Sequence, residues 1–231
     1  MTSIESLNQY LAAQFEVWGR PEDRRKKIRA GPVIAITREP GCNGAAIAQE
    51  LTKAFGLVVH DWEIVERIAE NAHVSEQVVA TLDEKVRSKL EEWLAGLGGD
   101  SSLSAHRYRQ CLRRILFTIA SHGNAVILGR GANFLLPADQ RTIGLRLVAP
   151  IETRVRNTMQ ARRLSRETAL KHIALTEQEQ REWVRKNADA DIDDATHYHL
   201  VINTALVTTP TLVRIVGEML KVTLSPPADA G

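Results

Sequence analysis

At 231 residues the chain can bury one sizeable core, and with 44% hydrophobic and 25% charged residues it has the balance of a folded globular protein. A formal net charge of +2 is too small to make a nucleic acid polymer or a membrane the main partner. The two cysteines, Cys42 and Cys111, have no CxxC spacing, no secretory segment opens the sequence and no apolar run spans a bilayer, so the expected location is cytoplasmic.

In chain order, residues 3 to 18 place Ile4, Leu7, Leu11 and Phe15 at helical spacing, and the basic run Arg24 to Arg29 reads as a solvated linker. Val33 to Thr37 is a short, β-branched, apolar run of the kind that forms a buried parallel strand. A glycine-containing loop follows, and then Ile47, Ala48, Leu51, Ala54 and Phe55 recur with the period of an amphipathic helix that Gly56 would end. Leu57 to His60 reads as the next strand.

Residues 62 to 122 read almost entirely as helix, with Gly98 to Ser102 as a flexible break. Their apolar faces are Ile64, Val65, Ile68 and Ala69, then Val86, Leu90, Trp93 and Leu94, then Cys111, Leu112, Ile115, Leu116 and Ile119. Strands resume at Ala125 to Leu128, Ile143 to Ala149 and Tyr198 to Asn203, giving five. Ser165 as an N-cap and the capping-box spacing of Thr176 and Glu179 predict two short helices at about 166 to 174 and 177 to 187. Pro210 suits the first turn of a final helix. Strands alternating with helices imply a parallel sheet covered on both faces.

Charge is unevenly spread. From Arg141 to Lys171 stand eight basic residues (Arg141, Arg146, Arg154, Arg156, Arg162, Arg163, Arg166, Lys171) against Glu152 and Glu167, whereas Asn187 to Asp194 holds four aspartates. A small polyanion fits this pattern better than a polymer does. The acidic run has aspartates at the first, third and fifth positions of a calcium loop, but Asp194 and Leu200 replace its glycine and its terminal glutamate, so it reads as a mobile acidic loop. His197 and His199 would share one side of a strand, yet spacing supplies no third metal ligand.

The loop Arg38-Glu39-Pro40-Gly41-Cys42-Asn43-Gly44-Ala45-Ala46 occupies a strand-to-helix turn, where backbone N–H groups and a helix start together make an anion site. Gly41 and Gly44 allow the backbone to curl around phosphate oxygens. A plain turn using glycine for tightness is the other reading of the same residues. The Walker A pattern would need Gly at Glu39, Lys at Ala45 and Ser or Thr at Ala46, so only Gly44 matches, and if the loop binds phosphate Arg38 or an arginine from elsewhere must supply the charge. Cys42 lies near the helix start, which would depress its pKa.

Several blocks in order resemble the cytidylate kinase-like family of the nucleoside-monophosphate kinases: IAITREPGCNG, VVHDWEIVERIAE, LDEK, AVILGRGANFLL and HYHLVINT. The resemblance implies a three-layer α/β/α P-loop kinase fold, with a five-stranded parallel sheet, a helical insertion for the monophosphate at about 62 to 122 and a helical lid at about 164 to 190. That domain would span residues 31 to 224, after an N-terminal helical extension over 1 to 30 and before a flexible tail over 225 to 231.

The resemblance implies roles as well. Glu39, Pro40, Gly41, Cys42, Asn43, Gly44, Ala45 and Ala46 would receive the phosphates of ATP, and Asp61 and Gly129 would adjoin the nucleotide. Arg130 would grip the monophosphate, Arg181 and Arg185 would close over the transferring group, and Arg38 would stand in for the missing lysine. Gly131 stands where related cytidylate kinases carry an aspartate, so both usual protein anchors for the metal are missing and Mg²⁺ would be carried by the nucleotide. The implied activity is transfer of the γ-phosphoryl group of ATP to a pyrimidine monophosphate such as CMP. The alternative is a nucleotide-binding sensor or scaffold that has lost the chemistry. Partners would be nucleotide small molecules, with a homodimer allowed and no nucleic acid polymer or membrane.

Overall fold

A computed structural model describes residues 12–14, 16, 31–70, 72–82, 84–96, 103–129, 131–137 and 141–224. Residues 12–14 and 16 are helical, while the rest of the proposed extension, the basic run Arg24 to Arg29, the break Gly98 to Ser102 and the tail 225–231 lie outside the described residues. The chain divides into two compact units, one drawn from Met1–Gly31 and Glu63–Gly123 and the other from Pro32–Trp62 and Asn124–Gly231.

The second unit is built on five parallel strands, β1 (Val33–Arg38), β2 (Val58–Asp61), β3 (Ala125–Gly129), β4 (Thr142–Val148) and β5 (Leu200–Asn203), in the order β2-β3-β1-β4-β5. β1 is central and pairs with β3 from Val33↔Ala125 to Thr37↔Gly129 and with β4 from Val33↔Thr142 to Arg38↔Leu147. The chain therefore departs from β1 toward one edge and later returns to its other side, and the crevice beyond the carboxyl ends of β1 and its neighbours is where open sheets of this kind take ligands.

Alternate residues of the strands face opposite layers. Ile34, Ile36, Val126, Leu128, Ile143, Leu145 and Leu147 form one buried cluster with Ile47 and Leu51 of α1 (Gly44–Phe55). Leu212, Val216 and Leu220, from the helix Thr209–Leu224, complete the same cluster. On the opposite face Thr37, Gly144 and Arg146 lie with the short helix Ala132–Leu135, whose Asn133 accepts a hydrogen bond from Thr37 Oγ1 at 2.9 Å. The helix Ile151–Arg162 packs on Arg166–Ala188 through Val155, Ala169 and Ile173.

The helical unit contains most of α2 (Trp62–Glu70) together with α3 (Ala72–Val79), α4 (Glu84–Gly96) and α5 (Leu103–His122). Leu82, Leu90 and Leu94 cluster there with Phe117, and Thr81 Oγ1 lies 2.9 Å from His122 Nε2. Continuing in chain order, Ala132–Leu135 is α6, Ile151–Arg162 α7, Arg166–Ala188 α8 and Thr209–Leu224 α9.

Two expectations are corrected. Arg166–Ala188 is one helix and not two, with Ser165 Oγ capping it by accepting from Thr168 N at 3.2 Å. No glycine or proline interrupts its Leu-, Ala-, Glu- and Arg-rich sequence, so the capping residues Thr176 and Glu179 yield to helix continuation. Tyr198 is not in the last strand, which begins only at Leu200 after a 3₁₀ turn over Ala195–His197. No helix is long and apolar enough to cross a membrane among the described residues.

Ile36 is 1% exposed in the central strand. Ile36→Ala should cost about 3 kcal/mol of stability, read as a lower urea midpoint at unchanged m-value.

Candidate functional site

β1 ends in the loop from Glu39 to Asn43, and α1 starts at Gly44. Glu39 N donates to Leu147 O at 3.0 Å and Cys42 N to Glu39 O at 3.3 Å, so the loop is curled and fastened to the end of β4. Asn43 takes the left-handed conformation, φ 55°, and its side chain makes no cap. The first bond of α1 is Ile47 N to Asn43 O at 3.1 Å, which leaves the N–H groups of Gly44, Ala45 and Ala46 without an acceptor in the helix. Asn43, Ala45 and Ala46 are exposed at this helix start, where partial positive charge collects.

Glu39 does not offer its carboxylate to this space. Its Oε2 accepts from Ala149 N at 3.0 Å and lies 3.3 Å from Nε of Arg154. Arg154, 8% exposed, also donates from Nε to Ala149 O at 2.9 Å and pairs through Nη1 with Glu177 of α8. The same residue meets the loop with its backbone. Gly41 has φ +87°, and a Cβ there would fall 2.5 Å from Arg154 O, so close approach and conformation both demand glycine. Asn157 Nδ2 donates to Gly41 O at 2.8 Å from the next turn of α7.

Arg38 reaches across the helix start. Its Cδ would lie 2.3 Å from a Cβ on Gly44, and its Nη1 is 3.4 Å from Gly129 O at the end of β3. Asp61 closes β2 and Gly129 closes β3, so both stand at carboxyl strand ends in the second unit. Gly129 gives the Trp62 ring room, a Cβ there falling 2.7 Å from it, and Trp62 meets Trp183 edge to face with centroids 4.9 Å apart. Arg130 lies outside the described residues. Gly131 has φ +146°, and a Cβ there would fall 2.7 Å from Phe134, so an aspartate does not fit this backbone.

Arg181 and Arg185 share a face of α8 and line a cavity of about 240 Å³ with Asp189, Ala190 and Asp191. Arg181 Nε donates to Asp193 Oδ2 at 2.9 Å, and the other oxygen of Asp193 accepts from Arg146 Nη2 at 2.8 Å. Bonding to Asp193 raises the Arg181 guanidinium pKa beyond its ordinary value. The acidic run, read as a mobile loop, is thus tied down, with Asp193 N also bonded to Asp191 Oδ1 at 3.0 Å and Asp194 Oδ1 accepting from Thr196 N at 2.9 Å. The cationic stretch is answered internally as well, by Arg146–Asp193, Arg154–Glu39, Arg154–Glu177, Arg166–Glu152 and Lys171–Glu167.

Two further readings change. Burial, followed by the nearby Glu39 charge, pushes the Cys42 thiol up to about 12, the reverse of the depression expected from a helix start. Cys42 is 1% exposed, and desolvation is the largest influence on it. His199 Nδ1 accepts from Gly144 N at 3.0 Å, and His197 lies in the 3₁₀ turn against Phe134, so the two do not share a strand face. No group of three or more His, Cys, Asp or Glu side chains that could hold a metal exists among the described residues. With alanines at 45 and 46 and a sterically fixed Gly131, the donor set does not fit a protein-held Mg²⁺.

Sequence reasoning missed Arg154, Glu177, Asn157, Arg146 and Asp193 as parts of this region. Arg146 carried a signal, a charge placed between Leu145 and Leu147 in a strand buried on both faces. Arg154 and Asn157 carried none, because their partners in the loop, Glu39 and Gly41, lie more than a hundred residues away in the chain.

The sequence profile of the cytidylate kinase-like family matches residues 33–206. No curated protein matches the chain. Among solved structures, an uncharacterized protein from Eubacterium ventriosum is similar at a TM-score of 0.60 and 18% identity, over 83% of this chain and 98% of that one, which shows a shared fold. Also matched are TT1252 from Thermus thermophilus (TM-score 0.46, 20% identity, 86% of this chain and 100% of that one) and a dephospho-CoA kinase from Campylobacter jejuni (0.35, 14%, 83% and 99%).

Gly41→Ala should destabilise the protein by about 2 kcal/mol or more in urea melts, since the new methyl group meets the α7 backbone. The raised thiol makes Cys42 inert. At pH 8 the native protein should incorporate at most one thiol label, at Cys111, and urea should release the second. Its neutral form, and that of Tyr198, which burial likewise raises to about 12, favours the native state. That stability is complete below the ordinary thiol and phenol values and is lost as pH rises toward about 12.

Proposed function

Since the chain belongs to the cytidylate kinase-like family, we propose that it transfers the γ-phosphoryl group of ATP to a nucleoside monophosphate, with a pyrimidine monophosphate such as CMP as the acceptor. The observation that carries this reading is the curled loop at the end of the central strand, whose helix start presents uncapped backbone N–H groups. Phosphoryl transfer asks of a protein that it hold two oxygens in line and answer the negative charge of the transition state, which this framework is suited to do.

In this assignment the backbone from Gly41 to Ala46 holds the donor phosphates and Arg38, laid across Gly44, supplies the cation that a Walker lysine would give. Arg181 and Arg185 neutralise charge on the transferring group from the side of α8, and Arg130 takes the acceptor's phosphate, with Asp61 and Gly129 at neighbouring strand ends. Glu39 acts through Arg154, shaping the loop without touching the nucleotide. Mg²⁺ would travel with ATP, and no step here is routed through it.

A second reading, a nucleotide-binding sensor or scaffold of the same fold, has its own support. Gly131 occupies a conformation that excludes the expected aspartate, and the helix start has no hydroxyl for a metal. The two readings part in one assay, in which folded protein receives ATP, Mg²⁺ and each nucleoside monophosphate in turn. Diphosphate formation, strongest with a pyrimidine, is expected, and Arg181→Ala should lower kcat by about a hundredfold. Nucleotide-dependent thermal stabilisation without any diphosphate product would instead establish the sensor.

A further inference from the structure

Arg146 stands opposite Thr37 in the sheet register, just before the end of β4, and so beside the exit of β1 into the phosphate loop. Its side chain is only 6% exposed. Nη2 donates to Asp193, whereas Nη1 is buried with no hydrogen-bond partner among the described residues. Asp193 divides its two oxygens between Arg146 and Arg181, so one carboxylate bridges two guanidinium groups, and the charges of Glu177 and Asp191 also act on Arg181. A buried donor without an acceptor is unfavourable, and a guanidinium fork is shaped for two oxygens of one anion.

A carboxylate that places one oxygen on each of two arginines occupies the position in which such a pair clasps a phosphoryl group. Resting on the nucleotide-binding reading above, we propose that Arg146 is a further phosphate-binding residue of the site and that Asp193 is an internal anion held in its place until a phosphate displaces it.

The surroundings suit such an exchange. Asp193 is 42% exposed, so its carboxylate can turn into water, while Arg146 is held in the sheet. The segment that carries Asp193 starts at the left-handed Asp189, φ 50°, and is anchored again where Tyr198 OH donates to Ile192 O at 2.7 Å. Arg185, one helical turn beyond Arg181, lines the cavity beside that segment and adds a third cation, facing Asp189 and Asp191 of the same cavity. A phosphate carries more charge than a carboxylate and has more oxygens, and can serve Nη1 of Arg146 as well.

The test uses inorganic tripolyphosphate, which carries no base or ribose, in calorimetric titrations of the full chain. Asp193→Asn keeps the shape and removes the competing charge, and it should tighten tripolyphosphate binding about tenfold, as expected if the internal anion fills the fork most of the time. Arg146→Lys keeps the charge without the fork and should weaken binding at least about fivefold, and in the double variant the gain from Asp193→Asn should vanish. A purely structural ion pair predicts the opposite sign, Asp193→Asn losing stability and binding the anion no better. Affinities of wild type and Asp193→Asn that agree within about twofold, or no binding by either, overturn the proposal. Should Asp193→Asn fail to fold, unchanged affinity in Arg146→Lys overturns it alone. The nucleotide reading is judged separately by ATP and CMP on the wild type: tripolyphosphate binding that tightens in Asp193→Asn while nucleotides bind neither form supports the exchange and rejects the kinase.

Discussion

One buried guanidinium joins the loop after β1 to the two helices that follow β4. Arg154 meets Glu39 from the loop, Glu177 from α8 and the carbonyl of Ala149, and its own backbone closes on Gly41. Burying such a charge costs several kcal/mol unless its donors are answered, and here two carboxylates and a carbonyl answer them. Removing Arg154 would leave two carboxylates without their shared cation, so the ion pairs act less as added stability than as a constraint on shape. The loop is thereby curled by the chain's own contacts, which under the proposed function lowers the ordering cost of binding. The same guanidinium connects the loop to α8, the helix that carries Arg181 and Arg185, so the loop and those cations share one framework.

The layers of the fold were legible because they depend on local pattern. Val33 to Thr37 has the β-branched apolar character of a doubly covered strand, and Ile47, Ala48 and Leu51 have helical period, so β1, the loop and α1 could be placed from the residues alone. Five strands were expected and five are present in the sheet. Boundaries fared worse where two local signals competed. Thr176 and Glu179 have the spacing of a helix start, yet they lie inside α8, because nothing before them breaks the helix. Tyr198 looks like a strand residue and lies outside one, because the preceding 3₁₀ turn uses its N–H.

The site was legible in position and illegible in partnership. The loop could be found by its glycines, but not that Glu39 turns away from it, since that depends on Ala149 and Arg154 across the fold. The cationic stretch from Arg141 to Lys171 suggested an anionic partner by its count, whereas Arg146 and Arg154 are answered by carboxylates from elsewhere in the chain and Arg166 and Lys171 by Glu152 and Glu167 within it. Cys42 shows the same limit in a pKa. Proximity to a helix start could be read from sequence, but burial could not, and burial decides the direction.

The way Arg38 lies over Gly44 also bears on how such a loop can change. A side chain at 44 would collide with Arg38, and a lysine at 45, as in the ordinary phosphate loop, would bring a second cation to the same helix start. A side chain at position 44 therefore requires Arg38 to move first. Removing Arg38 in isolation leaves the helix start with no side-chain cation from β1. Descendants of a loop built this way would keep glycine at 44 for as long as arginine at 38 lies there, so positions 38 and 44 should vary as a pair and not independently.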